Sequence, residues 1–285
     1  MSMSTATSQW NRVSRRPLPD VLDELGTAQT LTFDERHPGI VVMSVNRPHR
    51  ANSQTIEMFG EIAWAATVLR NAPVRALIVT GAGGKAFCTG FDLDEVDVLT
   101  RMSVSEFTDL VETAAAGSTG LRALPYPVIA AVSGPAAGGG LSLALAADVR
   151  IADPTASFSA GFVRVGLSIG ELGTSWNLVR LIGPGRAAEL AFTGRTVRAV
   201  EACQIGLADQ LSEGGNALDA AMDLAVTISE NSDDSVRSTK NALVRNLENN
   251  SLRSALEVDT RGQALALQVP TTRGGLAGLR DARRI

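Results

Sequence analysis

The sequence reads as an α/β domain of repeated ββα units followed by a helical C-terminal region, and three observations carry that reading. Short β-rich runs at Ile40–Val45, residues 76–80, Val128–Val132 and Val149–Ala152 alternate with longer segments of helical periodicity. Beyond about Gly206 the β signal fades and apolar residues recur only at helical spacing. With 285 residues, 45% hydrophobic and 20% charged, the chain can bury a full core.

Residues 1–28, which include Arg15, Arg16 and Pro17, are polar and lack the apolar segment of a secretory signal. They are expected to form a partly disordered leader, on a protein that stays in the cytoplasm. Residues 29–205 are the expected core. Its clearest early helix follows Asn52 or Ser53, either of which suits an N-cap, and puts Ile56, Phe59, Ile62, Ala66 and Leu69 on one face. Residues 206–285 are expected to be a helical oligomerisation region, with helices at Ala217–Ser229, 235–247 and 251–268 and then a basic tail. Helices of this length are marginal alone in water, so their Ala- and Leu-rich faces need the core or another subunit.

Charge and composition exclude several function classes. The 26 basic and 30 acidic residues give a net charge of −4, which is no electrostatic footprint for nucleic acid or an anionic membrane. The longest apolar stretches, Val128–Val132 and residues 141–147, fall well short of the ~20 residues that span a bilayer. Cys88 and Cys203 have neither metal-ligand nor redox spacing and read as small core residues in a reducing compartment. No His/Cys/Asp cluster has zinc-ligand spacing.

Two glycine-rich segments follow apolar strands. In Gly81-Ala82-Gly83-Gly84-Lys85-Ala86, Ala86 stands where a P-loop needs a Ser or Thr hydroxyl, and the GxxxxGK spacing is absent. A dinucleotide fingerprint fails as well, because neither segment supplies GxGxxG between a strand and a helix. The bland reading of Gly81 to Gly84 is a flexible turn. In the second segment, Gly138-Gly139-Gly140 opens an Ala/Leu helix after the strand at Val128–Val132. Each helical glycine costs ~1 kcal/mol against alanine, so three together need a reason. Close packing is one; backbone N–H groups facing a ligand oxygen that gains negative charge is the other.

Taken together, Lys85-Ala86-Phe87-Cys88-Thr89-Gly90-Phe91-Asp92-Leu93 and the segment from Pro127 to Asp148, preceded by Asn46-Arg47-Pro48-His49-Arg50-Ala51-Asn52, resemble the crotonase (enoyl-CoA hydratase/isomerase) superfamily. The resemblance runs through Gly194-Arg195 over about residues 31–284. It implies a crotonase-like spiral of ββα units with a C-terminal helical layer that builds a homotrimer or a dimer of trimers. It also implies an acyl-CoA thioester as substrate and no metal or redox cofactor, coenzyme A being part of the substrate. By the same resemblance the backbone N–H groups of Phe91 and Gly139 form an oxyanion hole. CoA would curl over Arg50 and Ala51 and over Asp92, Leu93 and Asp94.

The catalytic acids depart from the hydratase pattern. The two glutamates that hydratases of this family carry align with Ser142 and Phe162, and neither residue can inherit acid/base work. One acid remains, Glu171 in Gly166-Leu167-Ser168-Ile169-Gly170-Glu171-Leu172-Gly173-Thr174, a loop resembling the one where some family isomerases carry a proton-shuttling Asp or Glu. A single carboxylate suffices to move a double bond, so isomerisation fits better than hydration. The bland alternative is that Glu171 caps the helix beginning near Thr174 or pairs with an arginine. Asp92 and Asp148 read as structural acids, and Glu95 as a reserve candidate. Ser142 and Phe162 are expected to line the substrate site, where Phe162 and the Phe91 ring would narrow the acyl pocket.

His37 and His49 are the only histidines, and nothing places either beside Ser133 or Ser142, which weighs against a Ser/His/Asp hydrolase. Arg50 and Lys240 are candidate partners for CoA phosphates, although a lysine in Ser238-Thr239-Lys240-Asn241 reads more simply as a solvated helix face. The functional expectation is enoyl-CoA double-bond isomerisation. The alternatives are an enoyl-CoA hydratase using Glu171 and an ordered water, and an acyl-CoA-binding protein without chemistry.

Overall fold

The computed structural model describes residues 16–268. Its larger sheet has six strands: β1 (Leu31–His37), β2 (Ile40–Val45), β3 (Ala76–Gly81), β4 (Val128–Val132), β6 (Val149–Ala152) and β9 (Gln210–Leu211), in the order β1-β2-β3-β4-β6-β9. Within this sheet, among the described residues, only the β1–β2 pair is antiparallel. A smaller sheet joins β5 (Pro135–Ala137), β7 (Ser157–Ser159) and β8 (Thr196–Arg198). Cys88 bridges in parallel to Ala136 and so extends this second sheet.

Successive units therefore send one strand to each sheet before a helix. β4 and β5 lead into α5 (Gly139–Leu145), while β6 and β7 lead into a 3-10 turn at Gly161–Val165 and then α6 (Thr174–Ile182) and α7 (Pro184–Thr193). The central strands were legible as near-continuous apolar runs because both faces of the sheet are covered. One face packs Val41, Met43, Leu77, Val79 and Ala130 against Met58, Ile62 and Leu69 of α2 (Ile56–Leu69). The other packs Val42, Ile78, Ile129 and Ile151 against Ala217, Ala221 and Ala225 of α9 (Ala217–Ser229). Helix α4 (Val104–Arg122) lies on α2, where Gly117 and Gly120 let the backbones approach Ile62 and Ala66.

Three boundaries differ from the sequence reading. Leu18–Leu25, placed there in the leader, is helix α1, and its Leu18, Val21 and Leu25 are buried in the main core. Residues 1–15 and the basic tail from 269 onward lie outside the described residues. Both α9 and β9 belong to the sheet domain, so the boundary at 206 falls inside the core, and the outer helical layer is α10 (Asp233–Leu247) with α11 (Leu252–Ala266). Neither Asn52 nor Ser53 caps α2: Thr55 does, accepting from the Met58 N–H at 3.1 Å. Among the described residues, no helix is long and apolar enough to cross a membrane.

Candidate active site

The residues of the first constellation meet the glycine helix by way of Gln54. A parallel bridge joins Gln54 to Phe91: the Gln54 N–H donates to the Gly90 carbonyl at 2.7 Å, and the Asp92 N–H donates to the Gln54 carbonyl at 2.8 Å. That pattern turns the intervening Phe91 N–H away from Gln54, and among the described residues it has no backbone acceptor. The Gly139 N–H, at the first position of α5, likewise has none. The two groups are neighbours, because a Cβ placed on Gly90 would stand 3.5 Å from the Gly139 nitrogen. A Cβ on Gly139 would fall 2.1 Å from Gln54 Oε1, so a side chain there would displace the Gln54 carboxamide. Gly140 is the more constrained, its Cβ position lying 2.0 Å from the Cys88 backbone carbonyl oxygen. The glycines thus serve both close packing and bare donors.

Asp92 fastens this arrangement. It is 2% exposed and accepts from Arg47 Nη1 at 2.6 Å, Ser53 Oγ at 2.9 Å, Arg50 Nη2 at 3.0 Å and the Asp94 N–H at 3.1 Å. Burial pushes its carboxyl up, but the donors outweigh burial and hold it well below the usual carboxylate range. Arg50 Nη2 pairs with exposed Asp94 as well, so a phosphate at Arg50 would compete with two carboxylates. Ala51, at φ 49°, and Asn52, at φ 57°, turn the chain in the left-handed region. The Asn52 amide bonds the Ala86 carbonyl at 2.7 Å and the Ala82 carbonyl at 3.0 Å, tying the turn to the glycine loop. Leu93 stands out from this platform at 77% exposure.

Glu171 lies in the tight turn before α6, where the Thr174 N–H donates to its backbone carbonyl at 2.8 Å. Its carboxylate is half-buried and has no hydrogen-bond or ion-pair partner among the described residues, and burial raises its pKa above the ordinary glutamate value. The cap or arginine-pair reading is therefore overturned. The next residue, Leu172, holds φ 51°, a sparsely populated region for a non-glycine residue, and its Cδ1 comes within 3.6 Å of the Cβ position of Gly139. Leu172 packs with Phe59, Phe91, Leu110, Ala114 and Ala115 into a small apolar cluster apart from the main core. Phe59 and Phe91 stack there, with centroids 6.1 Å apart.

Ser142 is fully buried and bonds Thr174 Oγ1 at 2.5 Å and the Gly138 carbonyl at 3.2 Å, so its hydroxyl links α5 to the start of α6. Phe162 is buried in the 3-10 turn against α7 and lies outside the cluster around Phe91. The aromatic ring packed on Phe91 is that of Phe59. Glu95 accepts the Ile56 N–H at 2.8 Å and holds the start of α2. Cys88 is buried, and burial pushes its thiol up to about 12, which leaves it un-ionised at neutral pH.

Lys240 corrects the solvated-face reading. It is 6% exposed, with Nζ 2.7 Å from Asp148 Oδ2 and 2.8 Å from the Tyr126 carbonyl oxygen, and is thereby occupied within the subunit. Sequence reasoning also missed Gln54, Phe59, Leu172 and Thr174. The one available signal was Gln54 itself, a polar residue directly before the cap of an apolar helix.

The enoyl-CoA hydratase/isomerase family model matches residues 35–280. A Bacillus subtilis protein provisionally named an enoyl-CoA hydratase/isomerase is 37% identical over 258 residues, covering 90% of this chain and 96% of that one. The enoyl-CoA hydratase structure from Bacillus anthracis superposes with a TM-score of 0.83 at 32% identity, covering 89% of this chain and 97% of that one. A Thermobifida fusca structure in complex with acetoacetyl-CoA superposes with a TM-score of 0.78 at 30% identity, covering 87% and 98%. By these matches and by its spiral fold, the chain belongs to the enoyl-CoA hydratase/isomerase family.

Proposed function

We propose that the protein moves a carbon–carbon double bond within an enoyl-CoA thioester, with Glu171 as proton carrier and the Phe91 and Gly139 N–H groups holding the thioester oxygen. One observation carries the isomerase reading: a half-buried, unpaired carboxylate adjoins the residue resting on Gly139, while positions 142 and 162 hold no acid. In the forward direction the Glu171 carboxylate takes a proton from C2 of a 3-enoyl thioester. The released electron pair delocalises onto the thioester oxygen, where the two N–H groups meet the developing charge. The protonated Glu171 then returns the proton to C4, the carbonyl reforms and the double bond lies between C2 and C3. The turn at Arg50 and Ala51 and the segment Asp92, Leu93 and Asp94 form the rim over which CoA would lie. The Thermobifida fusca complex supports a CoA thioester as ligand.

Hydration is the second reading, favoured by the name of the Bacillus anthracis relative. It needs an ordered water and a second proton donor, and the Ser142 hydroxyl is already engaged with Thr174 and Gly138. A panel of 2-enoyl-, 3-enoyl- and dienoyl-CoA thioesters separates the readings. Migration of the double bond in 3-enoyl or dienoyl substrates is expected. Water addition without migration would replace this reading with hydration, and binding with no turnover would replace it with the non-catalytic one.

Self-association is proposed on a different observation. Helix α11 has no buried residue, and Leu252, Leu256 and Leu265 together with Leu243 and Leu247 of α10 are exposed. Such a run of apolar side chains marks an interaction surface. A trimer or a dimer of trimers is expected in sedimentation equilibrium, and a monomer at micromolar concentration would refute it.

A further inference from the structure

Gln54 carries a buried polar group that nothing among the described residues uses. The residue is 2% exposed, and its Oε1 is a buried atom without a hydrogen-bond partner. Its backbone is bonded on both sides, to Gly90 and to Asp92, so the residue cannot withdraw. Its side chain fills the space a Cβ on Gly139 would take, and Leu172 Cδ1 borders the same point. An unpaired buried amide is costly, and a leucine would fit among Leu172 and its apolar neighbours without that cost. A carboxamide held there unpaired therefore suggests a ligand group that completes it.

We propose that the Gln54 carboxamide is a third hydrogen-bonding group of the oxyanion site, donating Nε2–H to the thioester oxygen beside the Phe91 and Gly139 N–H groups. The proposal rests on the reading of those two N–H groups as the oxyanion hole. The terminal amide torsion of glutamine is broad and roughly two-fold, so a half-turn exchanges Oε1 for Nε2 without moving the chain. Negative charge growing on the oxygen favours the donor end, because an acceptor there would repel it.

The test uses the full chain with Gln54→Met, which keeps length without a donor, and Gln54→Leu, which suits the apolar neighbours and carries neither donor nor acceptor. The ligand is butyryl-CoA with a ¹³C thioester carbonyl, read by infrared difference spectroscopy, with butyryl-CoA and free CoA affinities measured in parallel. In the wild type the bound carbonyl band is expected below its value in water. Both variants should move it back up and weaken butyryl-CoA binding about tenfold. Free CoA, which has no thioester carbonyl, should bind both variants like the wild type, and kcat/KM should fall about 100-fold. A band identical in wild type and variants would overturn the role of Gln54, as would a Gln54→Leu enzyme with wild-type kcat/KM. A wild-type band already at its value in water would instead sink the oxyanion reading, and Gln54 with it.

Discussion

Glu171→Gln is expected to lower the rate of double-bond migration about 100- to 10,000-fold, the range for losing a positioned general acid/base. Affinity for the CoA ester should stay close to that of the wild type, because glutamine keeps the shape of the side chain and no hydrogen bond or ion pair of Glu171 is lost among the described residues. The pH dependence provides a second readout. Burial raises the Glu171 pKa, and the first step needs the ionised form, so kcat/KM should fall as the pH drops through a value above the ordinary ~4.3 of glutamate. The variant should lose that acid limb. The same shift gives a stability sign. With the folded pKa raised, the native state binds more protons than the unfolded chain between the two values, and stability declines as pH rises through that window. At neutral pH the uncharged glutamine should therefore be at least as stable as the glutamate. A variant with the wild-type rate and an unchanged acid limb would end the proton-shuttle assignment.

What was legible in the sequence follows from where the physics is local. Strands β2, β3, β4 and β6 are covered on both faces and so spell continuous apolar runs. β1 was not recognised because it is an edge strand whose Asp34, Glu35 and Arg36 face solvent, a common guard against edge-to-edge pairing. At three residues each, β5, β7 and β8 are too short to show a period. The glycine constellations could be read because close approach leaves no room for a Cβ, against the Cys88 backbone at Gly140 and against the Gln54 side chain at Gly139, a constraint visible in residue type alone. Gln54, Leu172 and Lys240 could not, because their burial is decided by elements distant in sequence. Leu172 meets Gly139, and Lys240 on α10 meets Asp148 beside β6 and Tyr126 before β4.

The Lys240 contact should carry the largest stability effect. Lys240→Met is expected to cost about 3 kcal/mol, the low end for breaking a buried ion pair by removing one partner. The low end applies because the Asp148 side chain is 26% exposed and can partly rehydrate. Methionine replaces the aliphatic stem, so the loss comes from the groups left behind: a carboxylate without its cation and the Tyr126 carbonyl without its ammonium donor. Burial, with the nearby Arg122 charge, lowers the Lys240 pKa by more than Asp148 raises it, so desolvation opposes the pair and its intact form contributes less than the single variant loses. The double variant Lys240→Met/Asp148→Asn should accordingly recover part of the loss, since asparagine leaves no unpaired charge. Lys240 is also the only buried residue of α10, so the single variant should loosen α10 and α11 first and speed amide hydrogen exchange there ahead of the sheet. Urea unfolding of the three proteins measures the loss and its recovery, and a single variant within about 0.5 kcal/mol of wild type would mean that α10 is held by its apolar contacts instead.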